Sequence, residues 1–416
     1  MNEELEKQRL RRQKQNRRRA RTKGFFMVLG VLVVALAAFL ITVKVCKPDF
    51  DFLSLVPDQA VSFVQEKFLG YTTEPATEAP TAPPTTEKPT FAEYQPASVF
   101  AFDTSKQGSQ IGNILNKTHG AVTFNGAYIY FAVPGKGIYR FAPSEETTAK
   151  VKEVNRACCL NIIGDFIYYV DTNSHKLQKL SVSGGDAVTL LSDARLAYGY
   201  QDRLFCLTAD SLYTVMVNGD KTLLYTAAAD KKLALVGISL TNVYFTETDK
   251  LTGEVEFLTV GQTGGNSVRF RQAAEKGKIR SMSLENGYLY YYERQTDDTY
   301  DLVRQKFGST KTVTLLKKVR VTDYPVVYAN RLYYTDFKDG AARAMELNMN
   351  SMATKVMLRA GDADKTGSVA VGCGYQYIFL IGTKTKGGSS VYRASCIYTS
   401  ASADNTMDFH NGKWSY

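Results

Sequence analysis

The chain has 416 residues, 44% hydrophobic and 22% charged, enough to bury at least one large core. Its net charge of +10 suggests an acidic partner, but the charge is local. Residues 1–23 hold ten Lys or Arg against Glu3, Glu4 and Glu6, a net +7 that leaves +3 for the other 393 residues, and this excludes a basic nucleic-acid-binding body.

The basic tail, 1–23, is followed by GFFMVLGVLVVALAAFLITV at 24–43, twenty residues without a charge. As a helix this stretch would extend about 30 Å, the thickness of a bilayer core. Ten cations on one flank and only Lys44 and Lys47 on the other predict a single-pass signal anchor with a cytoplasmic N-terminus. A cleaved signal peptide fits less well: both its charged and its apolar regions would be too long, and VKVC at 43–46 is no small-residue cleavage site. Lys44 also breaks a lipobox. The arginine run serves this topology and rests on anionic lipid at about 1 kcal/mol per cation; docking of a cytoplasmic partner or nucleic acid is the alternative.

In the juxtamembrane segment, 44–70, Ala60, Phe63, Val64, Lys67 and Phe68 recur at helical spacing between Pro57 and Gly70. A membrane-surface helix, a dimer contact and a packed turn all satisfy that pattern. Residues 71–96 then carry six of the eleven prolines and seven threonines, the composition of an extended stalk with a reach of roughly 80 Å. Such Thr/Pro/Glu spacers resemble those that carry domains through bacterial, especially Gram-positive, cell walls.

From 97 to 416 only Pro134, Pro143 and Pro325 remain, and short alternating aromatic runs broken by Gly, Asn and Asp give an all-β signature. One run recurs: AYIYFA (127–132), FIYYVD (166–171), RLFCLT (203–208), NVYFTE (242–247), YLYYYE (288–293), RLYYTD (331–336) and YIFLIG (377–382). The equivalent positions Ile129, Ile167, Leu204, Val243, Leu289, Leu332 and Ile378 lie 38, 37, 39, 46, 43 and 46 residues apart, the period of a four-stranded propeller blade. Seven copies predict a seven-bladed β-propeller, with six or eight blades as alternatives. Closure would come from SVFAFD (98–103) or MDFHNGKWSY (407–416), either of which would complete a shared blade at the seam. Tyr and Phe would fill the wedges between adjacent sheets.

These copies, FIYYVDTNSHKLQKL and RLYYTDFKDGAARAMEL above all, resemble the YWTD-type propellers of the low-density-lipoprotein-receptor family, and more closely their bacterial membrane-anchored relatives of unknown function. Asp171 and Asp336 stand at the motif's acidic position, approximated by Glu247 and Glu293; the other copies lack an acid there and none has tryptophan. The resemblance covers about 98–416 and implies a propeller but no particular activity.

Little catalytic chemistry is visible. His119, His175 and His410 are the only histidines, without metal-ligand spacing, and His175 reads as a turn residue. Cys46, Cys158, Cys159, Cys206, Cys373 and Cys396 form no CxxC. Cys206 and Cys373 read as small core residues, Cys373 with Cys396 as the best candidate bridge, and Cys46 as a possible dimer cross-link. GDADKTG (361–367) begins like a calcium loop, but Cys373 stands where the closing glutamate belongs. Asn116-Lys117-Thr118 is a glycosylation sequon.

No catalytic, cofactor-binding or metal residue is therefore assigned, and no cofactor is expected. The expected function is a membrane-anchored extracytoplasmic binding, scaffold or sensor module for a protein, peptide or cell-envelope glycan. The alternatives are an envelope glycan hydrolase or lyase with acids at the propeller funnel, and a signalling or assembly subunit acting through the basic tail.

Overall fold

The computed structural model describes residues 110–416 apart from 127, 321, 329, 339–340, 360–368, 375–376, 387–388, 399–406, 411 and 416. The basic tail, the expected span at 24–43, the juxtamembrane segment, the stalk, SVFAFD and GDADKTG all lie outside the described residues. Among those described, no helix is long and apolar enough to cross a membrane.

The strands form a β-propeller. Six four-stranded antiparallel blades cover 122–152, 157–192, 196–226, 231–274, 279–319 and 326–359, and a five-stranded sheet covers 369–415. Each is a simple meander, and first strands of neighbouring sheets approach one another around the axis, those of the first and second, second and third, and fourth and fifth sheets, and those of the five-stranded sheet with the sixth and the first. The repeated motif supplies the second strand every time: Ile129–Val133, Phe166–Asp171, Arg203–Leu207, Asn242–Asp249, Tyr288–Arg294, Arg331–Lys338 and Tyr377–Lys386.

That position explains the composition of the motif. A second strand lies between two partners and beneath a neighbouring sheet on each face, so it needs apolar residues on both sides. Ile167, Tyr168, Tyr169 and Val170 are accordingly all buried, whereas the outermost strand of the same sheet, Val188–Ser192, is mostly exposed. Tyr130, Tyr168, Tyr244, Tyr291, Tyr292 and Tyr333 are fully buried in the wedges between sheets, as the aromatic content predicts.

Apolar clusters join the first sheet to the second, the second to the third and fourth, the fourth to the fifth and the fifth to the sixth. The last joins Phe124, Phe131, Tyr139 and Phe141 of the first sheet to Phe379, Phe409 and Trp414 of the five-stranded one. The expectation that 407–416 completes a shared blade is corrected here, while its alternative, SVFAFD, lies outside the described residues. Met407–His410 and Lys413–Ser415 extend their own sheet, and the first sheet has four strands of its own. Side chains close the seam.

The register also removes the Cys373–Cys396 bridge. Cys373 pairs with Ile378 and Cys396 with Phe379, so the two cysteines lie on strands flanking a common partner. Strands two apart are separated by about 9.6 Å, beyond the roughly 7 Å that a disulfide spans between Cα atoms.

Asn161 ties two sheets together at the axis. Its Nδ2 donates to the Cys159 carbonyl at 2.7 Å and to the Ala197 carbonyl at 3.1 Å, while its Oδ1 accepts from the Gly199 N–H at 2.8 Å. The residue is 1% exposed, so Asn161→Ala strands backbone groups of the next sheet away from water. Thermal melts of this variant are expected to show a loss of about 3 kcal/mol.

Candidate functional site

The axis of the propeller is filled by the chain itself. Gln110 caps the short helix Ile111–Leu115, and its carbonyl accepts from the Asn113 N–H at 3.0 Å. Ile111 and Ile114, each 1% exposed, enter the central core, and the helix touches the first strands of the third to sixth blades and of the five-stranded sheet. Gly112 permits this. A Cβ there would lie 2.1 Å from the Pro325 carbonyl oxygen, at the edge of the sixth blade.

After Leu115 the chain turns sharply. The Asn116 N–H donates to the Gly112 carbonyl at 2.9 Å, and Asn116 Oδ1 accepts from the Thr118 N–H at 2.9 Å and the Thr118 hydroxyl at 2.5 Å. The Gly120 N–H then donates to the Asn113 carbonyl at 2.7 Å. The sequon reading of Asn116 is thereby corrected. Its side chain is buried, and the Thr that defines a sequon holds the turn instead.

This turn forms one wall of a cavity of about 470 Å³ where the first strands begin; the lining includes Lys117, His119, Ser281, Arg320, Asp323 and Tyr324. Lys117, His119 and Arg320 are exposed. Asp323 is partly buried and accepts from the Lys117 N–H at 3.2 Å and the Tyr324 N–H at 3.0 Å. Burial pushes its carboxyl above the usual range, against the pull of those two bonds and of Lys117 and His119. Burial likewise pushes Tyr324 up to about 12, helped by the Asp323 charge. The Ser281 hydroxyl donates to the Thr322 carbonyl. Lys117 and Arg320 thus place two cations on the rim around one recessed carboxylate, suited to hold an anionic group at the rim.

The raised Asp323 value has a consequence for stability. A carboxyl whose folded pKa lies above its unfolded value contributes stability below the unfolded pKa and loses it as pH rises through the folded one. Asp323→Asn is therefore expected to melt higher than the wild type at pH 7, with the gap closing below about pH 4. Melts at both pH values check this; a uniform loss at pH 7 would mean that the carboxylate is a structural clamp.

Of the residues singled out from sequence, His119 lines this mouth, as do Asn116 and Lys117, which the sequence offered only as part of a sequon. His175 sits exposed in a turn at φ 52°, with its carbonyl accepting from the Ala194 N–H at 2.7 Å. Asp171 shapes the same turn, accepting from the Asn173 N–H at 3.0 Å and the Ser174 hydroxyl at 2.9 Å. Asp336 pairs with Arg343 across the strand, and Glu247 accepts from the Tyr225 hydroxyl at 3.1 Å. These acids do not converge. Asp323 is the single carboxylate lining the mouth among the described residues, and no cluster of metal-ligating side chains occurs among them. Sequence reasoning missed Arg320, Asp323 and Tyr324 and read Lys117 only as the middle of a sequon, since nothing in the repeat marks the segments between blades.

No family model matches this chain, and no curated protein does. Solved structures match by fold. A puromycin hydrolase mutant complexed with PGG aligns at a TM-score of 0.50 and 10% identity, over 74% of this chain and 55% of the other. This chain thus spans little more than half of that hydrolase, and the likeness shows the propeller fold alone. The nidogen/laminin complex matches at 17% identity and a TM-score of 0.39, over 57% of this chain and 95% of the other. An oligogalacturonate lyase in complex with manganese matches at 11% identity and a TM-score of 0.40, over 68% and 85%.

Proposed function

We propose that this protein is a membrane-anchored, extracytoplasmic, non-catalytic binding or sensor module, and that its ligand is an anionic component of the cell envelope taken at the plugged mouth of the propeller. In this reading the five-stranded sheet is the seventh blade, matching the seventh sequence copy. The 24–43 segment anchors the chain with the tail inside, and the stalk holds the propeller away from the bilayer.

The observation that carries the reading is the mouth itself. Lys117, His119 and Arg320 ring a cavity whose floor is a plug rather than an open funnel, with one recessed carboxylate. Glycan hydrolysis by the usual route needs two opposed carboxyl groups, and the lining residues supply one. Full-length protein in detergent is expected to retain acidic oligopeptide or uronate oligomer over neutral dextran, with retention falling as salt rises. Replacing Lys117 and Arg320 together by Gln should weaken retention at least about tenfold, some 1.4 kcal/mol. Cleavage of either probe by the wild type, lost in Asp323→Asn, would replace the binding reading with an enzymatic one.

A further inference from the structure

We propose that Cys158 and Cys159 form an oxidisable vicinal pair whose closure to a disulfide releases the turn that shapes the channel mouth. The two Sγ atoms lie 3.6 Å apart on the first strand of the second blade, Ala157–Ile163. Cys158 is partly exposed and Cys159 is buried, at 2%.

The backbone at this point is already out of the ladder. Cys158 pairs with Val170 and Asn161 with Tyr168, so the strand carries one extra residue between those pairs, and Cys159 adopts φ 52°. Such a bulge frees the local peptide to rotate without dismantling the sheet. The released groups serve the plug instead. The Cys159 N–H donates to the His119 carbonyl at 2.6 Å and the Leu160 N–H to the Gly120 carbonyl at 2.8 Å. Gly120 is packed so closely that a Cβ would lie 2.8 Å from the Cys159 Cα. Any rotation about Cys158–Cys159 therefore acts on the segment that carries Lys117 and His119.

A weak hydrogen bond links the two sulfurs. The Cys158 thiol donates to Cys159, and this bond, with another from the Ala197 N–H, holds the Cys159 thiol below its ordinary range. The same bond, together with burial, raises Cys158. Of the two, Cys159 is therefore the thiol that ionises more readily and Cys158 the resolving one.

The oxidant is a peroxide, small enough to reach a buried sulfur. The Cys159 thiolate attacks one peroxide oxygen, the O–O bond breaks, and the sulfur becomes a sulfenic acid as the departing hydroxide takes a proton to leave as water. The Cys158 thiol then attacks the sulfenic sulfur, forming the S–S bond and expelling a second water. Two thiols lose two electrons, and one hydrogen peroxide gains them. Adjacent Cα atoms are about 3.8 Å apart across a trans peptide, closer than the about 4.4–6.8 Å of ordinary disulfides. The ring is consequently strained, and a small thiol reopens it.

The test uses full-length protein treated with equimolar hydrogen peroxide, alkylated, digested and weighed. The peptide containing both residues is expected to lose two hydrogens and escape alkylation, with dithiothreitol restoring both. Hydrogen exchange at the Cys159 and Leu160 amides should accelerate at least about tenfold on oxidation. Cys158→Ser should abolish both effects and Cys206→Ser should leave them intact. Full alkylation of the pair after peroxide, a cross-link from Cys159 to Cys206, or closure with unchanged exchange at 159 and 160 would each overturn the proposal. None of these readouts depends on what the mouth binds.

Discussion

Gly112→Ala is expected to cost at least about 3 kcal/mol, although alanine is the better helix former by about 1 kcal/mol. The introduced Cβ would lie 2.1 Å from the Pro325 carbonyl oxygen, 2.9 Å from its carbonyl carbon and 2.9 Å from the Val326 Cα. All three are backbone atoms, so no side chain can swing aside. Either the helix leaves the axis or the edge of the sixth blade moves. Both routes disturb Ile111 and Ile114 in the central core, and both displace Asp323, whose carboxylate is tied to the Lys117 N–H. The control is Gly126→Ala, where a Cβ meets nothing within 4 Å and only the positive φ is penalised, at about 1–2 kcal/mol. Chemical denaturation followed by circular dichroism separates the two. If Gly112→Ala proved as stable as the wild type, the helix would not be the axial plug described here.

The propeller was readable because its second strands are the most constrained part of each blade. Burial on both faces forces FIYYVD-like runs, and their period counts the copies. First strands escaped notice for a physical reason. Ala157–Ile163, Leu196–Tyr200 and Val369–Gly374 crowd the axis, where small residues and bulges relieve the packing, so they share no pattern. The plug was invisible too, because five helical residues cannot display a helical period. The mouth was harder still. Lys117 and Asp323 are 206 residues apart and meet only because the ring closes. His175 agrees with its reading as a turn residue: Asp171 and Ser174 beside it bond each other to make that turn.

Closure of the ring brings together residues about 280 positions apart, which by loop entropy alone opposes folding by roughly 5 kcal/mol. The seam has to return that free energy, and aromatic side chains dominate it. The Phe409 ring centroid lies 5.0 Å from that of Phe131 and 5.2 Å from that of Tyr139; Trp414 lies 5.3 Å from Phe131 and 5.8 Å from Phe379. Phe409→Ala and Trp414→Ala are each expected to lose about 3–5 kcal/mol. Trp414→Phe should lose far less, because the buried indole Nε1–H has no hydrogen-bond partner among the described residues and its removal takes away that donor. As the only tryptophan in the chain, Trp414 also reports on the seam directly. In the wild type its emission should shift at the same denaturant concentration as the circular dichroism signal, since an opened seam exposes the edges of two sheets at once. In Phe409→Ala both transitions should move together to lower denaturant. An emission shift that ran well ahead of an unchanged dichroism transition would mean that the terminal hairpin is an appendage and that the ring is held closed elsewhere.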